Sequence, residues 1–196
     1  MKCRIVAIAG GIGSGKSVVC RILRESGYDV YDCDDRARAI MDTSSQIKAA
    51  LCSRLSPLAV DACGNIDRKH IAGIVFSDRS KLKMLNEIVH QCVRDDLAQW
   101  ISVRFDRMAF VETAILYESG LDRLVDEVWN VTCLDLGVRV ERVRMRDAAT
   151  AEHVMKRIES QQSEEQALAN ESRMPVYELV NDGSVSLLLQ IDRLLQ

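Results

Sequence analysis

The chain reads as an α/β fold, a parallel sheet with helices on both faces, and three observations predict it. A glycine-rich loop stands between an apolar run and a helix start. Further apolar, strand-like runs alternate with helical segments along the chain. The one long break in that rhythm, between Asp34 and Arg107, contains two or three helical stretches and is too long for a simple crossover.

The first element is Arg4–Ala9, whose apolar core Ile5-Val6-Ala7-Ile8-Ala9 suits a strand buried on both faces. Gly10-Gly11-Ile12-Gly13-Ser14-Gly15-Lys16-Ser17 follows and satisfies G-x-x-x-x-G-K-[ST]. A helix is predicted over Ser17–Ser26. Strand, loop and helix start together suit a nucleoside triphosphate: glycines let the backbone approach phosphates closely, and successive N–H groups at a helix N-terminus point at negative charge. Lys16 then bridges the outer phosphates, and the Ser17 hydroxyl suits Mg²⁺.

Tyr28–Asp32 is predicted as a second strand, Arg107–Glu112 as a third, Val125–Cys133 as a fourth and Tyr177–Val180 as a fifth, with a terminal helix from Val185 to Leu195. Within the break, the longest helix is predicted from Asp78 to Arg104. Leu82, Leu85, Ile88, Val89, Cys92, Val93 and Leu97 recur there at three- and four-residue spacing. It reads as part of a helical subdomain over the sheet edge. Ala148 to Arg173 is polar, rich in Glu and Gln and poor in large apolar residues, so it has little to bury and is expected to move as a lid.

Composition narrows the function classes. The 196 residues are enough for one α/β domain with a modest insertion. A net charge of −3 argues against a general nucleic-acid binder. Apolar runs fall short of the roughly 18 residues that span a bilayer, and the N-terminal run leads into the phosphate loop rather than a cleavage site. Seven cysteines, scattered without a C-x-x-C pair, read as reduced thiols in a cytoplasmic protein and give no zinc pattern.

Several charged residues have the right types for phosphoryl chemistry. Asp32 and Asp34 stand at the end of the second predicted strand, where i and i+2 share a face and where parallel sheets bind ligands. One carboxylate then orients or deprotonates an acceptor hydroxyl, and the other holds water on Mg²⁺. The competing role is capping of the next helix. Arg139, Arg142 and Arg146 fall at i, i+3 and i+7 on one helix face leading into the lid. They suit the charge of a moving phosphoryl group, although by its own pattern such a stretch is more often a solvated basic face. Glu118 is a substrate contact or a loop carboxylate. His90, on the apolar-patterned helix, is by its own pattern a core or interface histidine more often than a ligand.

Taken in order, these segments resemble the dephospho-CoA kinase family over nearly the whole chain. The phosphate loop is similar to that family's, including its double glycine. Asp32-Cys33-Asp34 resembles its D-x-D, Leu85-Asn86-Glu87-Ile88-Val89-His90 its L-N-x-x-x-H, and Ala114-Ile115-Leu116-Tyr117-Glu118 its P-L-L-[FV]-E. Arg142-Val143-Arg144-Met145-Arg146-Asp147 is similar to R-x-x-x-R-[DN], Ile158 with Gln161 to I-x-x-Q, and Asn181-Asp182-Gly183 to N-x-G. Gln91 and Ala114 replace prolines of the pattern and bear on loop geometry around the substrate; Gln166 replaces a basic lid residue.

The resemblance implies a P-loop core with a five-stranded parallel sheet, formed by residues 1–34, 107–147 and 174–196. It implies a helical CoA-binding subdomain at 35–106 and a lid at 148–173. The reaction implied is ATP·Mg²⁺ plus 3′-dephospho-CoA giving ADP plus CoA. Asp34, Lys16, Arg142 and Arg146 carry catalysis; Gly11, Ile12, Gly13, Ser14, Gly15, Lys16, Ser17 and Val18 hold the nucleotide; Asp32, Asp34, Asn86, His90 and Glu118 line the acceptor site; and Ser17 is the metal ligand. The partners implied are small molecules, with no nucleic acid or membrane, for a monomer or small homo-oligomer. A nucleoside or nucleoside monophosphate kinase is the nearest rival. A GTPase switch lacks its N-K-x-D here.

Overall fold

Five strands set the frame of the first of two compact units: β1 (Arg4–Ala9), β2 (Val30–Asp32), β3 (Met108–Glu112), β4 (Glu127–Thr132) and β5 (Val176–Val180). All pair in parallel, in the order β2-β3-β1-β4-β5. The computed structural model describes residues 2–159 and 174–196. This unit comprises the described residues of Met1–Asp32 and Arg104–Gln196, and the second comprises Cys33–Val103.

β1 lies mid-sheet, so both of its faces need apolar side chains, and Ile5, Val6, Ala7 and Ile8 are all buried. Val6 and Ile8 share a face. They pack with Phe110, Trp129, Val131 and Leu179 from the other strands and with Val19, Cys20 and Leu23 of α1 (Lys16–Glu25). Ile191 of the last helix, α8 (Leu187–Leu195), completes this core. Phe110 is its centre: Trp129 and Tyr28 meet it edge-on, with ring centroids at 5.1 and 5.4 Å. Such ring pairs contribute about 0.5–1.5 kcal/mol each beyond the area they bury. A buried carboxylate is also satisfied here. Glu127, 3% exposed, accepts from Arg4 and, at 2.9 Å, from Trp129 Nε1.

The rest of this unit prepares the site. α6 (Leu136–Asp147) follows β4 and is capped by Asp135, whose side chain accepts from the Val138 N–H. A further helix, α7, covers residues 151–159. Its Val154 and Ile158 are fully buried against Val143, with Ile12 and Val140 beside them. This corrects one expectation: the first part of the polar 148–173 stretch does bury apolar residues. Its remainder, with Gln161 and Gln166, lies outside the described residues.

The second unit is helical. It comprises α2 (Cys33–Thr43), α3 (Ser45–Ala50), a π turn (Leu51–Leu55), α4 (Arg68–Ser77) and α5 (Arg79–Ser102). Ser44, Asp67 and Asp78 cap the starts of α3, α4 and α5, each worth roughly 1 kcal/mol. Ile47, Leu51, Leu55, Ala59 and Ile71 pack against Ile88 of α5, with Met84 and Leu85 beside them. Arg36 of α2 is held to α5 by paired bonds to Asp96 at 2.9 and 2.5 Å.

Two sequence expectations need local revision. The second strand stops at Asp32 and a helix begins at Cys33, so Asp34 is a first-turn helix residue and does not share a strand face with Asp32. Gln91, expected to bear on a loop, lies inside α5, which runs through it unbroken.

Candidate functional site: the phosphate loop

Glycines 13 and 15 are demanded by the fold as well as by the motif. Gly13 has φ 77° and a Cβ there would stand 2.5 Å from the Arg139 carbonyl oxygen. Gly15 has φ 102°, and its Cβ would collide with the Asn181 side-chain amide. A side chain at either position is strained and obstructed at once.

What surrounds the loop then decides where its amides point. Arg139 Nε donates to the Ile12 carbonyl at 3.0 Å. Arg142 Nη1 donates to the carbonyls of Gly13 and Ser14, both at 3.3 Å. Asn181 Nδ2 donates to the Ser14 carbonyl at 2.9 Å, and Arg142 Nη2 reaches the Asn181 carbonyl at 3.1 Å. Three successive carbonyls are thus drawn to one wall, made by α6 and the turn after β5. In a trans peptide the C=O and the following N–H point opposite ways, so the Gly13 and Gly15 N–H groups are aimed away from that wall. The Ser14 N–H closes a turn on the Gly11 carbonyl at 3.1 Å.

The loop then enters α1, whose N-cap Gly15 supplies no side-chain bond to the helix start. The helix end therefore keeps its partial positive charge directed at the loop's concave side. Lys16 Nζ donates to the carbonyls of Gly10 at 2.8 Å and Gly11 at 3.4 Å, which lays the ammonium across the loop. Ser17 and Val18 are exposed on the first turn. Ser14 is 2% exposed, and its Oγ has no hydrogen-bond partner among the described residues. Oriented amides, a helix N-terminus and a flexible cation fit a polyphosphate.

Carboxylates stand at the carboxyl ends of the neighbouring strands. Asp32 of β2 and Glu112 of β3 are register partners, and Ile8 of β1 pairs Glu112 from the other side. Burial holds the Glu112 carboxyl above the usual range. The Cys20 thiol hydrogen-bonds to it and opposes that rise, and Asp32 adds to it. Arg24 lies 3.8 Å away.

The other residues singled out by sequence fall in several places. Arg146 Nε and Nη2 grip both oxygens of Asp147 at 2.6 and 3.0 Å, and Arg157 Nη1 reaches Asp147 at 3.2 Å. The hydrogen bonds from Arg146 and Arg157 lower the Asp147 carboxyl to about 2. Glu118 is exposed on the turn after β3, between buried Leu116 and Ser119. Asp34, Asn86 and His90 belong to the helical unit. Asp34 is exposed at the N-terminal turn of α2; Asn86 and His90 lie four residues apart on α5, both half-buried. Burial, with the nearby Arg94 charge, pushes the His90 imidazole down.

Two residues matter more to the loop than their local sequence shows. Arg139 was one of three arginines on a basic face, yet it is 7% exposed and bonded to the loop. Asn181 stood out only as part of N-x-G, yet its side chain and carbonyl join the loop to Arg142. Nothing in either local sequence signals these long-range bonds.

A five-stranded parallel sheet feeding a glycine loop and a helix N-terminus defines a P-loop kinase fold. The dephospho-CoA kinase family model matches residues 4–186. A dephospho-CoA kinase of Fusobacterium nucleatum is 34% identical over 95% of this chain and 93% of its own. One from Porphyromonas gingivalis is 38% identical over 82% of this chain and 78% of its own. A solved protein from Thermus thermophilus superposes with a TM-score of 0.77 at 33% identity, covering 100% of this chain and 97% of the other. The chain belongs to the dephospho-CoA kinase family, and it is an enzyme of that kind, a kinase that phosphorylates dephospho-CoA with ATP. No helix among the described residues is long and apolar enough to cross a membrane.

Proposed function

We propose that the loop from Gly11 to Val18 binds the phosphates of ATP·Mg²⁺ and that the acceptor is the ribose 3′-hydroxyl of 3′-dephospho-CoA, giving ADP and CoA. The observation that carries this reading is the loop wall: Arg139, Arg142 and Asn181 hold the carbonyls of Ile12, Gly13 and Ser14. That leaves amides, a helix N-terminus and Lys16 as the groups facing an anion.

Lys16 leaves its loop carbonyls to contact the outer phosphates. Mg²⁺ supplies neutralisation of phosphate charge and a fixed phosphate geometry. Ser17 would hold it directly, and Asp32 and Glu112 would orient its waters; this hard, oxygen-only set fits Mg²⁺. Asp34 takes the proton of the acceptor hydroxyl or orients it for in-line attack. Arg146, aligned by Asp147, stabilises the charge on the transferring group. Arg142 assists through the loop, whose carbonyls it holds.

In the same reading Asn86, His90 and Glu118 line the acceptor site, and 35–106 is the CoA-binding part. Residues 148–173 act as the lid that keeps water from the phosphoryl group. The enzyme works in the cytoplasm on small molecules, without nucleic acid or membrane, as a monomer or small homo-oligomer.

The test is ADP release from ATP·Mg²⁺ with and without 3′-dephospho-CoA, with the product weighed by mass spectrometry. Turnover that requires this acceptor and adds one phosphate to it is the expected outcome. A protein that binds ATP but is not stimulated by 3′-dephospho-CoA overturns the acceptor assignment.

A further inference from the structure

Arg139 is a buried cation, 7% exposed, that no carboxylate pairs with among the described residues. Its Nε is used by the Ile12 carbonyl, while Nη2 is buried with no hydrogen-bond partner among the described residues. That nitrogen lies against Gly11: a Cβ there would come within 2.5 Å of it. The Arg139 backbone also crowds Gly13. The guanidinium therefore stands against the opening turn of the phosphate loop, Gly11-Ile12-Gly13.

Arginine stays charged even where burial disfavours its charged form, and an isolated buried charge is costly unless something compensates it. Among the described residues, Cys133 is the titratable side chain whose field bears on Arg139, and no carboxylate pairs with it. A hydrogen bond to Ile12 alone calls for a donor but not for a cation, since a neutral amide makes the same bond.

We infer that Arg139 is a positioning residue whose charge is compensated by the bound polyphosphate, and that it raises affinity in proportion to the phosphate charge at the loop. It acts through the loop from behind and adds a fixed positive potential there, separate from the mobile ammonium of Lys16. This rests on the reading of the loop as a phosphate site. In a medium between water and protein interior, one such charge acting across the loop accounts for a change on the order of tenfold in triphosphate affinity.

Arg139→Gln separates pinning from charge, because the amide still donates to Ile12; Arg139→Lys keeps the charge. Calorimetric titrations use ATP, ADP, AMP and inorganic tripolyphosphate, at low and high salt. For Arg139→Gln we expect ATP and tripolyphosphate to bind about tenfold more weakly, ADP to lose less and AMP least. The salt dependence of ATP binding becomes shallower, and kcat at saturating ATP changes less than KM. Arg139→Lys stays close to wild type in all of these. An equal loss for AMP, ADP and ATP, or wild-type affinities in Arg139→Gln, overturns the charge role. If Arg139→Gln does not fold, the lysine variant decides, since weakening as severe as a neutral residue would cause also overturns it. Wild-type protein that binds neither ATP nor tripolyphosphate overturns the loop reading itself.

Discussion

The side-chain amide of Asn181 donates to the Ser14 carbonyl at 2.9 Å, joining residues 167 positions apart. The Asn181 N–H in turn donates to the Thr132 carbonyl at 2.8 Å. The loop's geometry is therefore tied to β4 and to the exit of β5, not only to the strand and helix it connects.

This tie predicts the behaviour of Asn181→Ala. Ser14 would keep the longer Arg142 bond and lose the shorter one. Loss of one such bond costs about 0.5–1.5 kcal/mol, so thermal melts should show a retained fold with a small decrease in Tm. Nucleotide affinity should weaken by a factor of roughly three to ten, by the same energy. Unchanged ATP titrations in the folded variant would show that the loop holds its shape without Asn181.

Lys16→Ala and Arg146→Ala test the charge roles directly. Each is expected to lose on the order of a hundredfold or more in turnover, the scale of one transition-state donor. Steady-state rates on purified, folded variants check this. Near-normal turnover in either would remove that residue from the mechanism.

Asp34→Asn should separate chemistry from binding. The residue is exposed in the first turn of α2, so the neutral amide leaves the fold intact. Calorimetry is expected to show ATP binding retained while phosphoryl transfer is lost. An active variant sinks the proposed role.

Glu112→Gln carries a pH signature. Burial raises the Glu112 carboxyl above its ordinary value of 4.5. Between that value and the raised one, the folded protein keeps a proton the unfolded chain has released, so this group's contribution to stability falls as pH rises. The amide has no such window. Melting curves from pH 4 to pH 8 should show Glu112→Gln gaining on wild type as pH rises above about 4.5 and levelling once Glu112 is ionised in both states. A difference that shrinks over that window contradicts the assignment.

Much of the nucleotide side was legible because it is local. Ile5 to Ala9 is apolar without alternation, which a central parallel strand needs, and Gly10 to Ser17 has glycines where the backbone turns left-handed. The carboxylates were less legible. The spacing of Asp34 to Asp32 fits a strand, but the chain turns helical at Cys33. Short polar segments at a strand–helix junction satisfy both periods, so spacing alone does not choose between them. Likewise Val154 and Ile158 are two apolar residues in a polar stretch, and only contact with Val143 shows that they form a core.

The strand–loop–helix unit, the parallel α/β class and the family could all be read along the chain, because they rest on adjacent residues and on ordered motifs. Packing in three dimensions is what makes Arg139, Arg142 and Asn181 the loop's wall, sets the half-buried Glu112 carboxyl beside Cys20, and pairs Arg146 with Asp147. The physical reason is reach. Backbone preference is set by near neighbours, whereas a buried charge or an orphan carbonyl must find its partner through space, and packing α6 and the β5 exit against the loop is what brings those partners within 3.3 Å.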